Sequence, residues 1–145
     1  MKALIQRVKR ASVTVEGEKI SEINKGILVF LGVEKGDEYE NAEKLVEKIA
    51  KLRIFEDTND KMNFSVVDVS GEILVVSQFT LCGDCKKGTR PSFDNAASPE
   101  LAVKLYEYFV ELLKNKNISV KTGKFRTMMD VELINDGPVT FMLEK

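Results

Sequence analysis

The polar residues best suited to chemistry follow an apolar run, in the segment Ser77-Gln78-Phe79-Thr80-Leu81. The apolar residues 73–76 before it predict a buried strand, and a strand end that leads into an irregular loop is a common place for functional groups. Hydroxyl and amide side chains there offer donors and acceptors without fixed charge. The same side chains could instead satisfy backbone groups of an ordinary turn, and spacing alone leaves both interpretations open.

The 145 residues include no histidine. This excludes a Ser-His-Asp triad, a Cys-His dyad and an imidazole base. The cysteines form one C-x-x-C pair, Cys82 and Cys85, which cannot supply the four ligands of a zinc site. Residues 86–91 after the pair do not predict the helix of a thioredoxin-like motif, so two loop thiols without a role are the favoured interpretation. We therefore expect no metal and no cofactor.

The formal net charge is −1, but the charges are segregated along the chain. Residues 112–129 contain no acid and five cations: Lys114, Lys116, Lys121, Lys124 and Arg126. Two smaller basic clusters are formed by Lys2, Arg7, Lys9 and Arg10, and by Lys86, Lys87 and Arg90 beside Asp84. This pattern allows a polyanion-binding face on a neutral protein, although an ordinary solvated surface gives the same pattern.

The tetrapeptide Asn135-Asp136-Gly137-Pro138 predicts a tight turn between two strands. Glycine before proline reaches backbone conformations closed to other residues, and an X–Pro bond can be cis. A rigid turn of this kind could also serve as a recognition element.

Strands outnumber helices in the predicted element order. We expect strands over residues 3–15, 19–23, 27–33, 53–55, 73–78, 129–134 and 139–143. One helix is expected to begin at Asp37, with Glu40 at capping-box spacing, and the other at Ser98-Pro99. The second helix is expected to bury Leu101, Leu105, Tyr108, Phe109 and Leu112. The prediction is one α+β domain over residues 1–145, with curled, barrel-like, mostly antiparallel sheets flanked by two main helices.

The longest apolar runs, residues 27–31 and 73–76, are too short to cross a bilayer. Residues 1–5 are followed at once by Gln6 and Arg7, so no signal-peptide apolar region is expected. These features predict a cytoplasmic protein without a membrane partner.

The chain resembles the D-aminoacyl-tRNA deacylases from its first strand to its last. Ala3-Leu4-Ile5-Gln6-Arg7-Val8 and Ala11-Ser12-Val13-Thr14-Val15 are similar to the family's N-terminus. Ser77-Gln78-Phe79-Thr80-Leu81 and Asn135-Asp136-Gly137-Pro138-Val139-Thr140 match its two signatures. Arg90-Pro91-Ser92-Phe93 and Ala97-Ser98-Pro99 match the middle, and the Cys82–Cys85 pair is a local departure.

The resemblance implies a homodimeric carboxylic ester hydrolase that acts on D-aminoacyl-tRNA, and on glycine mischarged onto tRNA-Ala, without a DNA partner. It implies that the cis pair Gly137-Pro138 enters the partner's active site and excludes L-amino acids, with Arg7 holding the motif. Ser77, Gln78, Phe79 and Thr80 would line the pocket. Phe125 and Met129 would hold the terminal adenosine, and Lys121, Lys124 and Arg126 would contact tRNA phosphates.

The absence of histidine leaves two mechanisms open. Backbone N–H groups near Phe79 and Thr80 would stabilise an oxyanion while the substrate's ribose 2′-OH orients water. Alternatively, the Thr80 hydroxyl would act as a nucleophile, which is disfavoured because no base is available to it. Two other classes compete with an enzyme: a non-catalytic tRNA-binding module that uses the same basic face, and a redox or structural Cys-x-x-Cys protein.

Overall fold

A mixed six-stranded sheet curls into a nearly closed barrel and carries two helices. The computed structural model describes residues 1–145. The strands are β1 Lys2–Val15, β2 Glu18–Ile23, β3 Gly26–Gly32, β4 Phe55–Glu56, β5 Met62–Phe64, β6 Glu72–Ser77, β7 Ser119–Thr122 and β8 Asp130–Glu144. The helices are α1 Tyr39–Lys51 and α2 Pro99–Lys114, and a 3-10 turn covers Phe79–Cys82. The predicted fold class is confirmed.

The long strand β1 organises the sheet. Its first half pairs antiparallel with β3, its second half pairs antiparallel with β2, and β8 runs antiparallel along its other edge. From β3 the sheet continues through parallel pairings to β6 and then to β7. Strands β6 and β7 lie against β2, which brings the sheet toward closure.

The central strands are covered on both faces, as their continuous apolar sequences predict. Ile27 and Val29 of β3 belong to a core of 24 buried residues that includes the apolar sides of α1 and α2. Leu28 of β3 and Leu74 of β6 belong to a second core of eight residues. Alternate residues of one strand therefore pack toward the helices and toward the second core.

The start of α1 differs from the prediction. Glu38, not Asp37, is the N-cap residue, and it forms a capping box with Asn41 rather than Glu40. The Asp37 carboxylate is buried, and it accepts hydrogen bonds from the Met1 ammonium group at 2.6 Å and from the Glu34 N–H at 2.6 Å. Burial next to a positive charge makes this carboxylate part of a tertiary contact, which local spacing does not reveal.

The start of α2 agrees with the prediction, and its buried face is rotated. Ser98 is the N-cap, its Oγ accepts the Leu101 N–H at 3.3 Å, and Pro99 opens the helix. The buried residues are Leu105, Tyr106, Phe109, Val110 and Leu113. Leu101, Tyr108 and Leu112 are only partly buried. The stripe is shifted because Tyr106 and Val110 point into the main core.

The predicted turn at Asn135–Pro138 lies inside one continuous strand, so its assignment as a turn between two strands is wrong. Gln6 pairs with Thr140, and Val8 pairs with Asn135. Two steps along β1 (8 − 6) therefore match five along β8 (140 − 135), and the excess chain bulges out of the sheet. We call residues 135–139 the β8 bulge. Strands β5 and β7 are elements that the sequence analysis missed.

No helix of the chain is both long and apolar enough to span a membrane.

Candidate active site

A cavity of about 640 Å³ opens where β6 ends. Five segments line it: the end of β3, the end of β6, the 3-10 turn, the start of α2 and the chain between β7 and β8. The lining residues are Leu31, Val33, Val76, Ser77, Gln78, Phe79, Thr80, Ala96, Ala97, Pro99, Ala102, Phe125, Arg126, Thr127, Met128, Met129 and Val131. Most are apolar, and Arg126 is the only one with an ionisable side chain. An apolar cavity with a few polar groups is typical of a small-molecule site.

The segment Ser77–Thr80 forms one wall, and close packing on β3 fixes its backbone. The Gln78 N–H donates to the Leu31 carbonyl at 2.8 Å. A Cβ on Gly32 would lie 3.1 Å from the Gln78 carbonyl oxygen, so glycine lets the two segments approach closely. The Gln78 amide donates to the Thr80 hydroxyl oxygen. As the first residues of a 3-10 turn, Phe79 and Thr80 have N–H groups without an acceptor inside that turn.

Two aromatic rings meet at the rim of this wall. The Phe79 side chain is 56% exposed, and its ring packs edge-on against Phe93 at a centroid distance of 5.0 Å. A Cβ on Gly83 would lie 3.1 Å from the Phe93 ring, so Gly83 leaves room for this contact. Phe93 therefore positions the exposed ring of Phe79.

The second wall contains Phe125 and Met129. The Phe125 ring packs against Tyr106 at a centroid distance of 5.8 Å. A Cβ on Gly123 would lie 2.8 Å from the Met129 Sδ, and the Lys124 N–H donates to the same sulfur at 3.3 Å. The side chains of Phe125 and Met129 are partly buried, which leaves apolar surface on both for a planar ligand.

Tyr106 ties the second wall to β6. Its hydroxyl donates to the Val75 carbonyl at 2.9 Å, and the Gly123 N–H donates to the same oxygen at 3.0 Å. Burial raises the pKa of the Tyr106 hydroxyl, because a buried phenolate would lack solvation. The neutral hydroxyl therefore stays a donor.

The predicted cationic residues occupy different places relative to the cavity. Arg126 lines it, whereas Lys121 on β7 and Lys124 are exposed and lie outside the lining. None of the three forms a salt bridge with an acid. Their charges are available to an anion that approaches the cavity from the side of β7.

The β8 bulge is held by Arg7, whose side chain is 5% exposed. Its Nε–H donates to the Asp136 carbonyl at 3.0 Å, and its Nη1 donates to the Ile54 carbonyl at 2.7 Å. The Asp136 carboxylate lies 3.5 Å from Nε, and the Glu56 carboxylate lies 3.6 Å from Nη2. A rigid guanidinium with several fixed acceptors orients the bulge.

The tip of the bulge requires glycine. Gly137 has φ +133°, and a Cβ there would lie 2.7 Å from Val139 Cγ2 and 3.3 Å from Arg7 Nη2. The Gly137–Pro138 peptide bond is cis. Both residues are exposed, and neither lines the cavity of its own chain.

The structure thus brings together Ser77, Gln78, Phe79, Thr80, Phe125, Arg126 and Met129 around one cavity. It does not bring Arg7, Gly137, Pro138, Lys121 or Lys124 into that lining. Sequence reasoning missed Tyr106 and Phe93 as supports of the two walls. Helical spacing gives no reason to expect a functional role for Tyr106. The resemblance includes Phe93 in the motif Arg90-Pro91-Ser92-Phe93 but implies no role for it.

The cysteines are both free. Cys82 is buried, and its Sγ–H donates to the Val33 carbonyl at 3.4 Å, while Cys85 is exposed. Burial raises the pKa of the Cys82 thiol, which favours the unreactive neutral form. No group of three or more His, Cys, Asp or Glu side chains is arranged to hold a metal ion.

Comparisons with known proteins define the family. The D-Tyr-tRNA(Tyr) deacylase family matches residues 4–144. The D-aminoacyl-tRNA deacylase of Thermodesulfovibrio yellowstonii is 62% identical over 143 residues, which cover 99% of this chain and 98% of that relative. The D-aminoacyl-tRNA deacylase of Koribacter versatilis is 60% identical over 144 residues, which cover 99% and 97%. The chain belongs to the D-Tyr-tRNA(Tyr) deacylase family. The prediction that it is an enzyme, a hydrolase of this family, is therefore confirmed.

Two solved structures share the fold. One, named c-Myc DNA Unwinding Element Binding Protein, has a TM-score of 0.94 and 47% identity, and the match covers 100% of this chain and 99% of that one. The other, described as a probable eukaryotic D-amino acid tRNA deacylase, has a TM-score of 0.85 at 15% identity, and the match covers 99% and 98%. The second likeness concerns the fold alone.

Proposed function

We propose that the protein hydrolyses the ester bond between a D-amino acid and the 3′-terminal adenosine of tRNA. The observation that carries this proposal is the cavity that joins Ser77–Thr80 to Phe125 and Met129, in a chain whose curated relatives are named for this activity. We further propose that residues 1–145 act as one domain, since both helices and the sheet share the main core.

The second wall fits the terminal adenosine. A purine ring would lie against the partly buried side chains of Phe125 and Met129, which offer a flat apolar surface with an aromatic face. Arg126 at the same wall, with the exposed Lys121 and Lys124 nearby in sequence, would neutralise phosphates of the acceptor end. The aminoacyl group would then extend toward Ser77–Thr80.

The chemistry proposed for the first wall uses no side-chain base. Water attacks the ester carbonyl carbon, and the carbonyl oxygen becomes an oxyanion that accepts hydrogen bonds from the Phe79 and Thr80 N–H groups. The C–O bond to the ribose 3′ oxygen then breaks, and that oxygen takes up the proton that the attacking water gives up. The ribose 2′-OH beside the leaving oxygen orients the water. The lining supports this route, since it lacks every ionisable side chain except Arg126.

Chiral selection is proposed to occur between two subunits. Gly137 and Pro138 are exposed at the tip of the β8 bulge and lie outside their own chain's cavity. In a homodimer, the bulge would enter the partner's cavity and exclude any side chain that projects from Cα in the L direction. Glycine has no Cβ, so a site of this kind would also admit glycyl-tRNA.

The free edge of β8 and the exposed apolar residues along this strand support a dimer. Strand β8 pairs with β1 only, so its other edge is free over 15 residues. The apolar side chains Ile134, Phe141 and Met142 are each more than 40% exposed on this strand. A long free edge with exposed apolar residues is normally covered in native proteins. We expect the active enzyme to sediment as a dimer at assay concentration. An active monomer with chiral selection would contradict the entry of the β8 bulge into the partner's cavity.

The decisive assay compares D-tyrosyl-tRNA, L-tyrosyl-tRNA and glycyl-tRNA. Release of free amino acid from the D and glycyl esters, with the L ester left intact, is the expected result. Similar rates for the D and L esters would overturn the proposal that the site excludes L-amino acids. The proposal that the protein hydrolyses the ester would still stand.

A DNA-binding role beside the hydrolase activity is the second candidate. One observation favours it: the 47% identical structure carries the name of a DNA-binding protein. A competition assay tests this role. We predict no DNA partner, and unlabelled duplex DNA should therefore not inhibit deacylation at a concentration where deacylated tRNA does.

A further inference from the structure

A hairpin at the rim of the cavity has no part in the chemistry described above. The Asp84 N–H donates to the Ser92 carbonyl at 2.8 Å, and the Ser92 N–H donates to the Asp84 carbonyl at 3.0 Å. The Asp84 carboxylate also accepts the Lys86 N–H at 2.8 Å, and Gly88, at φ +69°, allows the chain to reverse. We call residues 84–92 the basic hairpin.

The tip of the basic hairpin carries positive charge only. Residues 85–91 include Lys86, Lys87 and Arg90 and no acid, and all seven are exposed. None of the three cations forms a salt bridge. The two nearby acids are engaged at the base: Asp84 holds the Lys86 N–H, and Asp94 accepts the Ser92 hydroxyl at 2.8 Å.

The hairpin is fixed to the cavity at both ends. Cys82 before it is buried under β3, and a Cβ on the intervening Gly83 would lie 3.0 Å from the Thr80 carbonyl. Phe93 after it packs against Phe79, which lines the cavity, and Ala96 lies in the lining itself. The base of the hairpin is therefore anchored beside the cavity, and its charged tip projects from there.

We propose that the basic hairpin binds the phosphodiester backbone of the single-stranded 3′ end of the substrate tRNA. This inference rests on the proposed deacylase function and adds a second contact segment, separate in sequence from Lys121, Lys124 and Arg126. When the 3′ end of the tRNA is held in the cavity, the phosphates next to it pass the rim. Cationic side chains there would release counterions condensed on the RNA, which increases the affinity. The tip presents no aromatic or amide side chain, so it positions the RNA without reading bases.

The test removes the three charges and compares two substrates. Lys86→Ala/Lys87→Ala/Arg90→Ala is assayed on D-tyrosyl-tRNA and on D-tyrosyl-adenosine, which carries the ester without any phosphate. We expect kcat/KM on tRNA to fall by about tenfold or more at 0.15 M salt. The slope of log kcat/KM against log salt concentration should flatten by about 2, at roughly 0.7 per phosphate contact. The loss on D-tyrosyl-adenosine should be at least several times smaller.

Two control variants make the result specific. Lys44→Ala/Lys48→Ala/Lys51→Ala removes the same charge from the exposed side of α1, outside the cavity lining, and should keep the wild-type slope. Lys86→Arg/Lys87→Arg/Arg90→Lys retains the charge and should restore binding, which would exclude misfolding of the hairpin as the cause.

Two outcomes would overturn the inference: a wild-type salt slope in the triple alanine variant, or an equal loss on both substrates. Failure of the proposed function gives a different pattern, since wild-type enzyme would then hydrolyse neither D-tyrosyl-tRNA nor D-tyrosyl-adenosine.

Discussion

The cavity at the end of β6 and the β8 bulge position their functional groups with different interactions. In the cavity, neutral groups predominate: Gln78 is held by the Leu31 carbonyl and Phe125 by ring packing on Tyr106. In the bulge, a buried guanidinium is surrounded by two carbonyls and two carboxylates. The first region can keep its geometry without ion pairs, whereas the second depends on one charge.

This difference separates chemistry from discrimination. The Ser77–Thr80 wall has no charged side chain, so it offers hydrogen bonds to a developing oxyanion and supplies no titrating base. A charged brace holds a backbone segment at one position, and steric exclusion requires that precision more than it requires reactivity. We expect changes in the first region to alter rate and changes in the second to alter both position and stability.

The largest expected effect concerns the Ser77–Thr80 wall and the ribose 2′-OH of the substrate. D-tyrosyl-tRNA ending in 2′-deoxyadenosine should be hydrolysed at least about 100-fold more slowly, while Thr80→Ala should lose less than about tenfold, because the 2′-OH orients the water. Both rates are measured by release of labelled tyrosine and divided by the spontaneous hydrolysis of the same ester. A far larger loss for Thr80→Ala than for the deoxy substrate would restore the threonine nucleophile.

The next effect tests the bulge by steric displacement. Gly137→Ala should lower kcat/KM on D-tyrosyl-tRNA by about 100-fold, as expected for a shift near 1 Å of a positioned segment. The added Cβ meets Val139 and Arg7. Gly17→Ala is the matched control, since Gly17 also has a positive φ, +80°, and has nothing within 4 Å of the added Cβ. The comparison fails if the two variants retain equal activity.

A smaller effect tests the charged brace. Arg7→Met leaves the Ile54 and Asp136 carbonyls without their donor and should lower the free energy of unfolding by about 2–3 kcal/mol. Arg10→Met on the same strand removes an Arg that is 54% exposed and paired with Glu132, and should cost less than about 1 kcal/mol. Urea unfolding of both variants measures the difference. If both variants lost the same free energy of unfolding, the hydrogen bonds of the buried Arg7 would stabilise the fold no more than an exposed ion pair does.

The smallest effect is a pH dependence at Tyr106. Burial raises the pKa of this phenol, so above about pH 10 the unfolded chain loses a proton that the folded chain keeps. The unfolding free energy of the wild type should therefore fall by up to about 1.4 kcal/mol per pH unit relative to Tyr106→Phe. Parallel stability curves for the two proteins between pH 9 and pH 11 would contradict the buried, neutral hydroxyl.

The sequence predicted the sheet better than it predicted the details of the site. Continuous apolar runs predicted the strands β3 and β6, and the Ser98-Pro99 signal identified the start of α2, because these features depend on local chemistry. The cap at Asp37 was misassigned because its carboxylate is used by the distant Met1 ammonium group. Local sequence predicts a turn at the bulge, because the pairing of the flanking residues with β1 is a tertiary contact that local sequence does not show.

The site divides in the same way. Signature residues such as Gln78 and Phe125 were found by resemblance, and the structure brings them to one cavity. Their supports were not found, because Tyr106 acts through a carbonyl 31 residues away and Phe93 acts through a ring contact. Such contacts leave no periodic pattern in the chain.

The carbonyl of Val75 gives the cavity a common reference point. It accepts bonds from Tyr106 and from Gly123, and two residues later its own strand delivers Ser77 to the opposite wall. Both walls are therefore attached to the same strand, and the spacing between them depends on contacts to β6.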